Sequence, residues 1–374
     1  MSMARPDFLS SFDDSTIARK LLETIETLAG RIGRDVRIME VCGTHTMAIA
    51  RSGLRSVLPD SIHLSSGPGC PVCVTPQHDI DAIIALARMG SVTLATFGDM
   101  IRVPGSSTSL QQLRAQGASI EVVYSPLDAL ALARENPERQ IVFAGIGFET
   151  TAPATAIAIK RARIARISNF SVYCAHKAVP PVLEALADDD RIVIDALMLP
   201  GHVSTIIGAG PYEFLPARHG IPGVITGFET VDLLQGIAMI LRQIAEGEPR
   251  IEIAYARGVQ PEGNPAARDA IDEVFERVDA DWRGFGRIPD SGYEVREEHR
   301  DLDAMRRFTP EVEPSVEPAG CRCAEVLRGS ISPAECPLMG SACTPEHPVG
   351  PCMVSSEGSC AAYHRYAIPR KGGL

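Results

Sequence analysis

The sequence predicts an α/β protein with two similar Rossmann-like domains, each built on a parallel sheet, around a cleft, and a third, cysteine-rich domain at the C-terminus. Three observations lead to this prediction. Short apolar segments alternate with helical ones from residue 36 to about residue 256, which is typical of parallel sheets covered by helices on both faces. The tetrapeptide Gly-Phe-Glu-Thr occurs twice, at 147–150 and 227–230. Six of the ten cysteines lie in the last 54 residues.

The composition fits a globular protein and argues against two kinds of partner. Among the 374 residues, 36 are basic and 47 are acidic, and the resulting net charge of −11 disfavours binding to nucleic acid. No apolar run approaches the ~18 residues of a membrane span. The first 14 residues lack the apolar stretch of a secretory signal, so we expect a cytoplasmic protein whose cysteines stay reduced.

The predicted elements begin with an amphipathic helix, Thr16–Ile32, whose apolar residues recur at helical spacing. Nine short strands follow, and each ends at a glycine, a proline or a polar turn. They are Val36–Val41, Ile62–Ser65, Val92–Phe97, Ile120–Tyr124, Ile141–Ile146, Phe170–Cys174, Ala196–Leu199, Gly223–Thr226 and Ile251–Tyr255.

The two Gly-Phe-Glu-Thr segments each follow a short apolar strand and precede a helix. This repetition predicts two similar units, 36–140 and 141–258, with residues 1–35 packed on the rest and residues 259–374 forming the third domain. Strand–glycine–helix turns recur in any α/β protein, so simple reuse of the turn is the alternative to a true duplication.

Residues beyond Gly258 break the alternation. Pro265–Val278 is predicted to be one more helix, and Asp290–Pro318, rich in charge and proline, a linker or a segment wrapped over the surface. Residues 321–374 contain only 12 large apolar side chains, too few to order the segment by burial alone, so we expect another form of cross-link there.

The C-terminal cysteines are the candidates for that cross-link. They are Cys321, Cys323, Cys336, Cys343, Cys352 and Cys360. In a reducing compartment, clustered thiolates favour a soft metal site, either zinc or an iron–sulfur cluster. Structural zinc usually uses paired CxxC ligands, which this segment lacks. The wide and irregular spacing therefore favours a [4Fe–4S] cluster over zinc and over unligated cysteines.

The segment 67–73, Gly-Pro-Gly-Cys-Pro-Val-Cys, places a CxxC pair between a strand and a helix expected to start near Thr75. Backbone N–H groups at the start of a helix favour thiolates. Cys70 and Cys73 are therefore predicted to cycle between dithiol and disulfide or to bind a soft metal. A tight turn whose cysteines only pack is the alternative.

Cys42 ends the first strand, at the edge where open α/β sheets bind ligands, and His45 follows three residues later. After one helical turn the imidazole is expected to contact the thiol, where it stabilises the thiolate or carries a proton. Taken alone, this pattern fits a core cysteine and a capping histidine slightly better.

The segment 144–153 contains Gly-x-Gly but lacks the third glycine of a dinucleotide site and any P-loop lysine, which disfavours nucleotide binding. Glu149 is predicted either to favour a helix dipole or to face the cleft as an acid or hydrogen-bond acceptor. His202, at another strand end, is equally ambiguous. Cys174, within an apolar strand, is predicted to be a buried, inert thiol.

Taken together, the segments 42–46, 67–76 and 147–153 resemble motifs of the hydrogenase maturation factor HypD family, and the spacing Cys323-x12-Cys336-x6-Cys343-x16-Cys360 resembles its cluster-binding pattern. The resemblance runs from about residue 36 to residue 360. It implies two α/β domains around a cleft and a third domain that carries a [4Fe–4S] cluster. It also implies a scaffold on which the Fe(CN)2CO group of [NiFe]-hydrogenase is assembled before delivery to the large subunit.

The resemblance further implies roles for individual residues. Cys42 would be the iron ligand with His45 beside it, and Cys70 and Cys73 would be a redox-active pair. The cluster ligands would be Cys323, Cys336, Cys343 and Cys360. The other two C-terminal cysteines stay unassigned. The implied partners are a small HypC-type chaperone, which shares the iron, and a HypE-type protein, which supplies cyanide.

Assembly of CO and cyanide on one iron needs electrons, and a cluster near a CxxC pair offers a route from a one-electron carrier to a two-electron dithiol. We therefore expect the cluster to relay electrons through Cys70 and Cys73 to iron at Cys42. There are two alternatives. In one, the protein is a cluster-dependent thiol–disulfide reductase, which gives Cys42 no role. In the other, it is a docking platform whose cluster is only structural.

Overall fold

The structure is a computed structural model that describes residues 15–366. Within these residues, nine strands form two parallel sheets and two more form an antiparallel hairpin. The strands are β1 (Val36–Glu40), β2 (Ile62–Ser66), β3 (Val92–Thr96), β4 (Ile120–Val122), β5 (Gln140–Gly145), β6 (Phe170–Cys174), β7 (Ala196–Pro200), β8 (Gly223–Thr226), β9 (Ile251–Ile253), β10 (Phe275–Trp282) and β11 (Gly286–Val295).

Helices surround both sheets. The α helices are α1 (Ser15–Ile32), α2 (Gly43–Ser52), α3 (Pro71–Val74), α4 (Gln77–Ala87), α5 (Leu110–Ala115), α6 (Pro126–Glu135), α7 (Ala152–Ile164), α8 (Val179–Ala187), α9 (Gly201–Ile207), α10 (Phe214–His219), α11 (Thr230–Glu246), α12 (Pro265–Val274), α13 (Ala304–Arg307), α14 (Cys323–Leu327), α15 (Pro351–Val354) and α16 (Ser359–Tyr366). Short 3-10 helices lie at Leu54–Ser56, Gly98–Arg102, Gly210–Tyr212, Glu297–Leu302 and Pro333–Glu335. No helix of the described region is both long and apolar enough to cross a membrane.

The strands follow the predicted α/β pattern. The nine strands predicted from the sequence are all present, with ends that differ by at most two residues, and the predicted N-terminal helix is confirmed as α1. Every residue of β3, β7 and β8 is buried, because helices cover both faces of the sheets. These continuous apolar strands explain why the sequence shows no alternation of polar and apolar residues there.

The chain builds the two sheets in an interleaved order. Sheet A has the strand order β2-β1-β7-β8-β9 and sheet B the order β4-β3-β5-β6. All neighbouring strands in both sheets are parallel. The chain therefore begins sheet A, crosses over to build sheet B and returns to finish sheet A. Each sheet takes strands from both of the predicted units, 36–140 and 141–258, so the sheets do not follow a boundary at residue 140.

The segment after residue 274 differs from the helix predicted over Pro265–Val278. Helix α12 ends at Val274, and β10 and β11 pair as a hairpin around a turn in which Gly284 and Gly286 have φ angles of 87° and 73°. Phe275, at the start of β10, packs into the same core as sheet B. This tertiary packing overrides the local helical pattern.

The cysteine-rich segment is also better packed than its composition predicts. Residues 308–318, within the predicted linker, have no regular structure and lie mostly exposed. In the segment that follows, Leu327, Met353 and Val354 join the largest apolar core of the protein. Burial therefore contributes to the order of this region, beside the cross-link that the sequence predicts.

Candidate metal and redox site

Cys42 follows β1 at the point in sheet A where the strand order reverses. Strand β2 lies on one side of β1, and β7, which the chain reaches only after sheet B, lies on the other. Ligands of open α/β sheets bind at such switch points, outside the carboxyl ends of the strands. Cys42 is also the N-cap residue of α2, so its buried side chain lies at the positive end of that helix.

The CxxC loop lies directly beside Cys42. Strands β1 and β2 pair through Glu40 and Ser66, which brings the segments that follow them together. The Gly43 N–H donates to the Gly69 carbonyl over 2.9 Å. A Cβ at Gly69 would overlap the backbone of Cys42, so only glycine permits this close approach.

Cys70 and Cys73 form a disulfide and are both buried. Cys70 is the N-cap residue of α3, and its Sγ accepts a hydrogen bond from the Cys73 N–H over 3.2 Å. The helix predicted near Thr75 is α4, which begins at Gln77, and the short α3 precedes it, so Cys73 lies inside the first turn of α3. The backbone therefore donates to a cysteine sulfur at a helix start, the arrangement that favours thiolate after reduction.

Two carboxyl groups, the buried Glu40 and the half-buried Glu357, border the Cys42 thiol. Burial, and to a lesser extent the charge of Glu357, raises the pKa of Cys42 to about 12. Hydrogen bonds from the N–H groups of His45 and Thr44 act in the opposite direction and lower the pKa in part. Burial also raises the pKa of Glu40 to about 7, although its Oε1 accepts a hydrogen bond from the Thr46 hydroxyl over 2.7 Å. The free Cys42 side chain is therefore a neutral thiol at pH 7, and a metal ion has to displace its proton.

His45 directs its Nε2 away from the expected contact with Cys42. Nε2 lies 3.1 Å from the Thr226 carbonyl oxygen and 3.0 Å from that of Gly227, so Nε2 donates and carries the proton. Burial lowers the pKa of His45 to about 4, so the ring is neutral. Within the described residues its buried Nδ1 has no hydrogen-bond partner. Phe228, in the second Gly-Phe-Glu-Thr segment, lies against the rings of both His45 and His202.

Glu149 follows β5 at the switch point of sheet B. Its Oε1 accepts a hydrogen bond from the Val179 N–H at the start of α8, over 2.9 Å, so it caps this helix rather than α7. Burial raises the pKa of Glu149 to about 7. Burial raises the pKa of the Tyr212 hydroxyl too, and Glu149 and Cys42 both add to that rise. Glu149 from sheet B and Cys42 from sheet A therefore border the same interior region.

The six C-terminal cysteines line one pocket, together with Leu338, Met339 and Met353. A set of soft thiols in an apolar surround fits an iron–sulfur cluster. Across residues 15–366, no three His, Cys, Asp or Glu side chains converge on a site for a single metal ion. Ligands of a four-iron cluster bind different irons and need not converge in this way.

Two of these cysteines form a close pair. Cys323 Sγ lies 2.7 Å from Cys352 Sγ, and this hydrogen bond, helped by the charge of Arg283, lowers the pKa of Cys323. Sulfurs this close are arranged as a thiol pair, not as ligands of two separate irons. Burial raises the pKa of Cys321, and the charges of Cys323, Cys360 and Cys336 add to that rise, so Cys321 and Cys323 lie near the same group of thiols. Cys323, Cys336, Cys343 and Cys360 stay the predicted cluster ligands.

The cysteine-rich region contacts both segments of the site. Helices α14 and α15 pack against the CxxC helix α3, and α16 packs against α2, the helix that begins after Cys42. Glu357 Oε1 accepts a hydrogen bond from the Thr44 hydroxyl over 2.7 Å. The buried Arg283 donates to the carbonyl of Thr75 over 3.1 Å and also pairs with Glu317.

Neither Glu357 nor Arg283 is predicted from the sequence. The sequence carries one indication of a role for Glu357, which lies three residues before Cys360 in a polar, glycine-containing turn. Arg283 lies in the hairpin that the sequence does not predict.

Comparison with known proteins points to one family. A family model described as "HypD: Hydrogenase formation hypA family" matches residues 16–367. The protein named hydrogenase maturation factor HypD from Rhodobacter capsulatus is 47% identical over 372 residues, which cover 97% of this chain and 99% of that protein. The proteins of the same name from Azotobacter vinelandii and Escherichia coli K12 are 43% and 42% identical, over 97% and 95% of this chain and 98% and 97% of their own length.

Proposed function

The chain belongs to the HypD family, and from this premise we propose that it serves hydrogenase maturation by holding an iron ion at Cys42 while CO and cyanide are attached. The iron with these ligands is the cargo, the Fe(CN)2CO group of [NiFe]-hydrogenase. The position of Cys42 carries the proposal. It lies at the switch point of sheet A, beside a CxxC disulfide and against a cysteine-rich region.

The surroundings of Cys42 suit a soft iron ion. Iron that bears CO and cyanide is low-spin and prefers thiolate. The N–H groups of Thr44 and His45 lower the pKa of the Cys42 thiol in part, and iron binding displaces the proton that the thiol still carries at pH 7. We propose that His45 acts beside Cys42 through Nδ1, the ring nitrogen with a free lone pair.

The CxxC pair is proposed to deliver electrons next to the iron. Reduction of the Cys70–Cys73 disulfide consumes two electrons and two protons and yields two thiols. The amide of Cys73 then stabilises the thiolate of Cys70 through the hydrogen bond that it already donates. A disulfide this well buried is closed to large protein substrates, which disfavours the alternative of a free-standing thiol–disulfide reductase.

The cysteine-rich pocket is proposed to hold a [4Fe–4S] cluster, with ligands Cys323, Cys336, Cys343 and Cys360. When bound, such a cluster supplies electrons one at a time. Cys323 lies on α14 and Cys352 on α15, and both helices pack on α3, so the pocket lies next to the CxxC helix.

The proposed partners are those that an iron carrier of this kind requires. A small HypC-type chaperone shares the iron, and a HypE-type protein supplies the cyanide. The hydrogenase large subunit receives the finished group indirectly.

Infrared spectroscopy of the full chain, purified anaerobically with its small partner, tests the proposal. We expect bands of metal-bound CO and cyanide, which Cys42→Ser abolishes together with the bound iron. The control Cys174→Ser removes a thiol elsewhere and is expected to keep the bands. Bands that persist in Cys42→Ser would show that iron is held at another site. Replacing both Cys70 and Cys73 by serine is expected to stop hydrogenase maturation, and intact maturation would refute the redox role alone.

A further inference from the structure

A second cavity, of about 300 Å³, opens at the carboxyl end of β6 in sheet B. Residues 173–177 form one wall, Asp79 of α4 contributes to it, and the β10–β11 hairpin and the segment around Asp303 close the other side. Its size is at the lower end of the range for small-molecule sites. Neither Cys42 nor the CxxC pair lines it.

The first Gly-Phe-Glu-Thr segment, which has no part in the function proposed above, builds this wall. The Ala175 N–H donates to the Gly145 carbonyl and the Lys177 N–H to the Gly147 carbonyl, each over 2.9 Å. A Cβ at Gly145 or at Gly147 would crowd the ring of His176. Glu149 then accepts the N–H of Val179, two residues after Lys177, at the start of α8. The motif thus fixes the backbone that carries Lys177.

Lys177 is the buried cation of the cavity, with a side chain only 5% exposed. Its nearest anion is Asp79, whose Oδ2 lies 3.6 Å from Nζ, and Oδ1 of the same carboxylate accepts the Tyr173 hydroxyl over 2.7 Å. Among residues 15–366, no acceptor makes a hydrogen bond of ordinary length with Nζ. An ammonium group carries three protons, and Nζ is not among the fully buried atoms that lack a partner, so it is open to the cavity. The donors of Lys177 can therefore bind an oxygen atom held within the cavity.

The other charges of the lining restrict what that oxygen belongs to. Asp279 and Asp281 lie 3.9 and 4.0 Å from Arg287 and offset its charge. Glu294 and Asp303 also line the space, so the rim is acidic overall and repels groups with several negative charges. Phosphate esters and nucleotides are disfavoured for this reason.

A thiol and an imidazole complete the wall next to Lys177. Cys174 Sγ lies 3.5 Å from His176 Nδ1. Burial raises the pKa of Cys174 to about 12 and lowers that of His176 to about 3, so both groups are neutral. They add no charge that competes with Lys177 for an anion.

We propose that this cavity binds a small molecule with a single carboxylate group, and that one carboxylate oxygen accepts hydrogen bonds from Lys177 Nζ. This oxygen accepts the hydrogen bonds that the ammonium group does not make within the protein. The single negative charge is the largest that the acidic rim accepts.

NMR spectroscopy of the full-length protein labelled at lysine Cε tests this proposal directly, because the chain has only four lysines. The Lys177 signal is assigned by its loss in Lys177→Met. Formate and acetate are the ligands used, with phosphate for comparison and chloride at equal ionic strength as the blank. We expect a saturable shift of the Lys177 signal with formate or acetate, and a shift that is absent in chloride.

Variants connect the binding to the cavity. Lys177→Met is expected to weaken acetate binding, measured by calorimetry, about tenfold or more, since a hydrogen bond to a charged group is lost. Lys160→Met is the matched control, because Lys160 lies on the exposed face of α7 and pairs with Glu273 outside the cavity. Its acetate affinity is expected to equal that of the wild type.

Three results would overturn the proposal, and the second needs no variant that could misfold. They are a Lys177 signal that no carboxylate shifts saturably, phosphate binding that is tighter than both carboxylates, and unchanged acetate affinity in folded Lys177→Met. None of these measurements depends on iron at Cys42, so the proposed maturation role stands or fails separately.

Discussion

Cys321 and Cys323 are separated by one residue, and only Cys323 fits the spacing of the predicted cluster ligands. Cys323 Sγ lies 2.7 Å from Cys352 Sγ, and the charge of Cys323 also acts on Cys321. We expect Cys323→Ser to lose iron and sulfide after anaerobic reconstitution, because a serine hydroxyl is a poor ligand for a soft metal. We expect Cys321→Ser to retain both.

Iron and acid-labile sulfide analysis, with the visible absorption of the cluster, measures this contrast. Cys336→Ser serves as the reference for a variant that lacks a ligand, and Cys174→Ser as the reference for an unrelated thiol. Loss of iron in Cys321→Ser, with retention in Cys323→Ser, would refute the ligand set predicted from the spacing.

This contrast marks how far the sequence predicts single residues. The cysteine motifs identify Cys42, the CxxC pair and the C-terminal pocket, because the metal binding and redox chemistry of thiols depend on residue type and spacing, which the sequence shows directly. Which neighbouring thiol faces a partner depends on chain folding over 29 residues, between Cys323 and Cys352. The orientation of His45 was likewise not predicted, since its carbonyl partners lie at the end of β8 and directly after it, 181 and 182 residues away.

At the scale of elements, the contact between the loops after β1 and β2 rests on Gly69. Its Cα lies so close to the Cys42 backbone that alanine has no room for its Cβ. We expect Gly69→Ala to lower the free energy of unfolding by about 1–3 kcal/mol, as overpacking does. It should also lower the iron content, because the CxxC loop has to move away from Cys42.

Gly90→Ala is the matched control for this variant. No atom lies within 4 Å of a Cβ at Gly90, so its stability in urea denaturation and its iron content are expected to stay close to those of the wild type. Equal stability and equal iron content in the two variants would mean that the loops can separate without consequence for the site.

The elements themselves follow from the sequence where local pattern and tertiary packing agree. All nine strands of the two sheets were predicted, because each is a short apolar run between turn residues. The β10–β11 hairpin was missed because its first residues continue the helical pattern of α12, and only packing of Phe275 on sheet B makes the strand preferable. The glycines of its turn, Gly284 and Gly286, were the available signal.

At the scale of the whole molecule, the cysteine-rich region joins the two sheets. Neither the crossover between the sheets nor this connection could be predicted, because strand order depends on contacts between segments far apart in sequence. Asp99, which follows β3 in sheet B, accepts hydrogen bonds from the Ser356 N–H and hydroxyl, each over 2.9 Å, and from the Ser355 hydroxyl over 3.1 Å. Glu357, the next residue, binds Thr44 at the edge of sheet A.

This arrangement predicts that Asp99 holds Glu357 next to Cys42 from the opposite sheet. Asp99→Ala removes the acceptor of a charge-assisted hydrogen bond to the Ser356 amide. Amide hydrogen exchange in the segment 355–357, followed by mass spectrometry, is expected to accelerate about tenfold or more, while exchange in β3 stays unchanged. Asp128→Ala, which removes a carboxylate that accepts the Tyr124 N–H over 3.1 Å outside this region, is expected to leave segment 355–357 at its wild-type rate. An unchanged rate in Asp99→Ala would mean that Thr44 and the packing of α15 and α16 hold the segment on sheet A alone. If the rate does rise, iron retention at Cys42 in the same variant should fall, since the environment of its thiol then depends on a residue of sheet B.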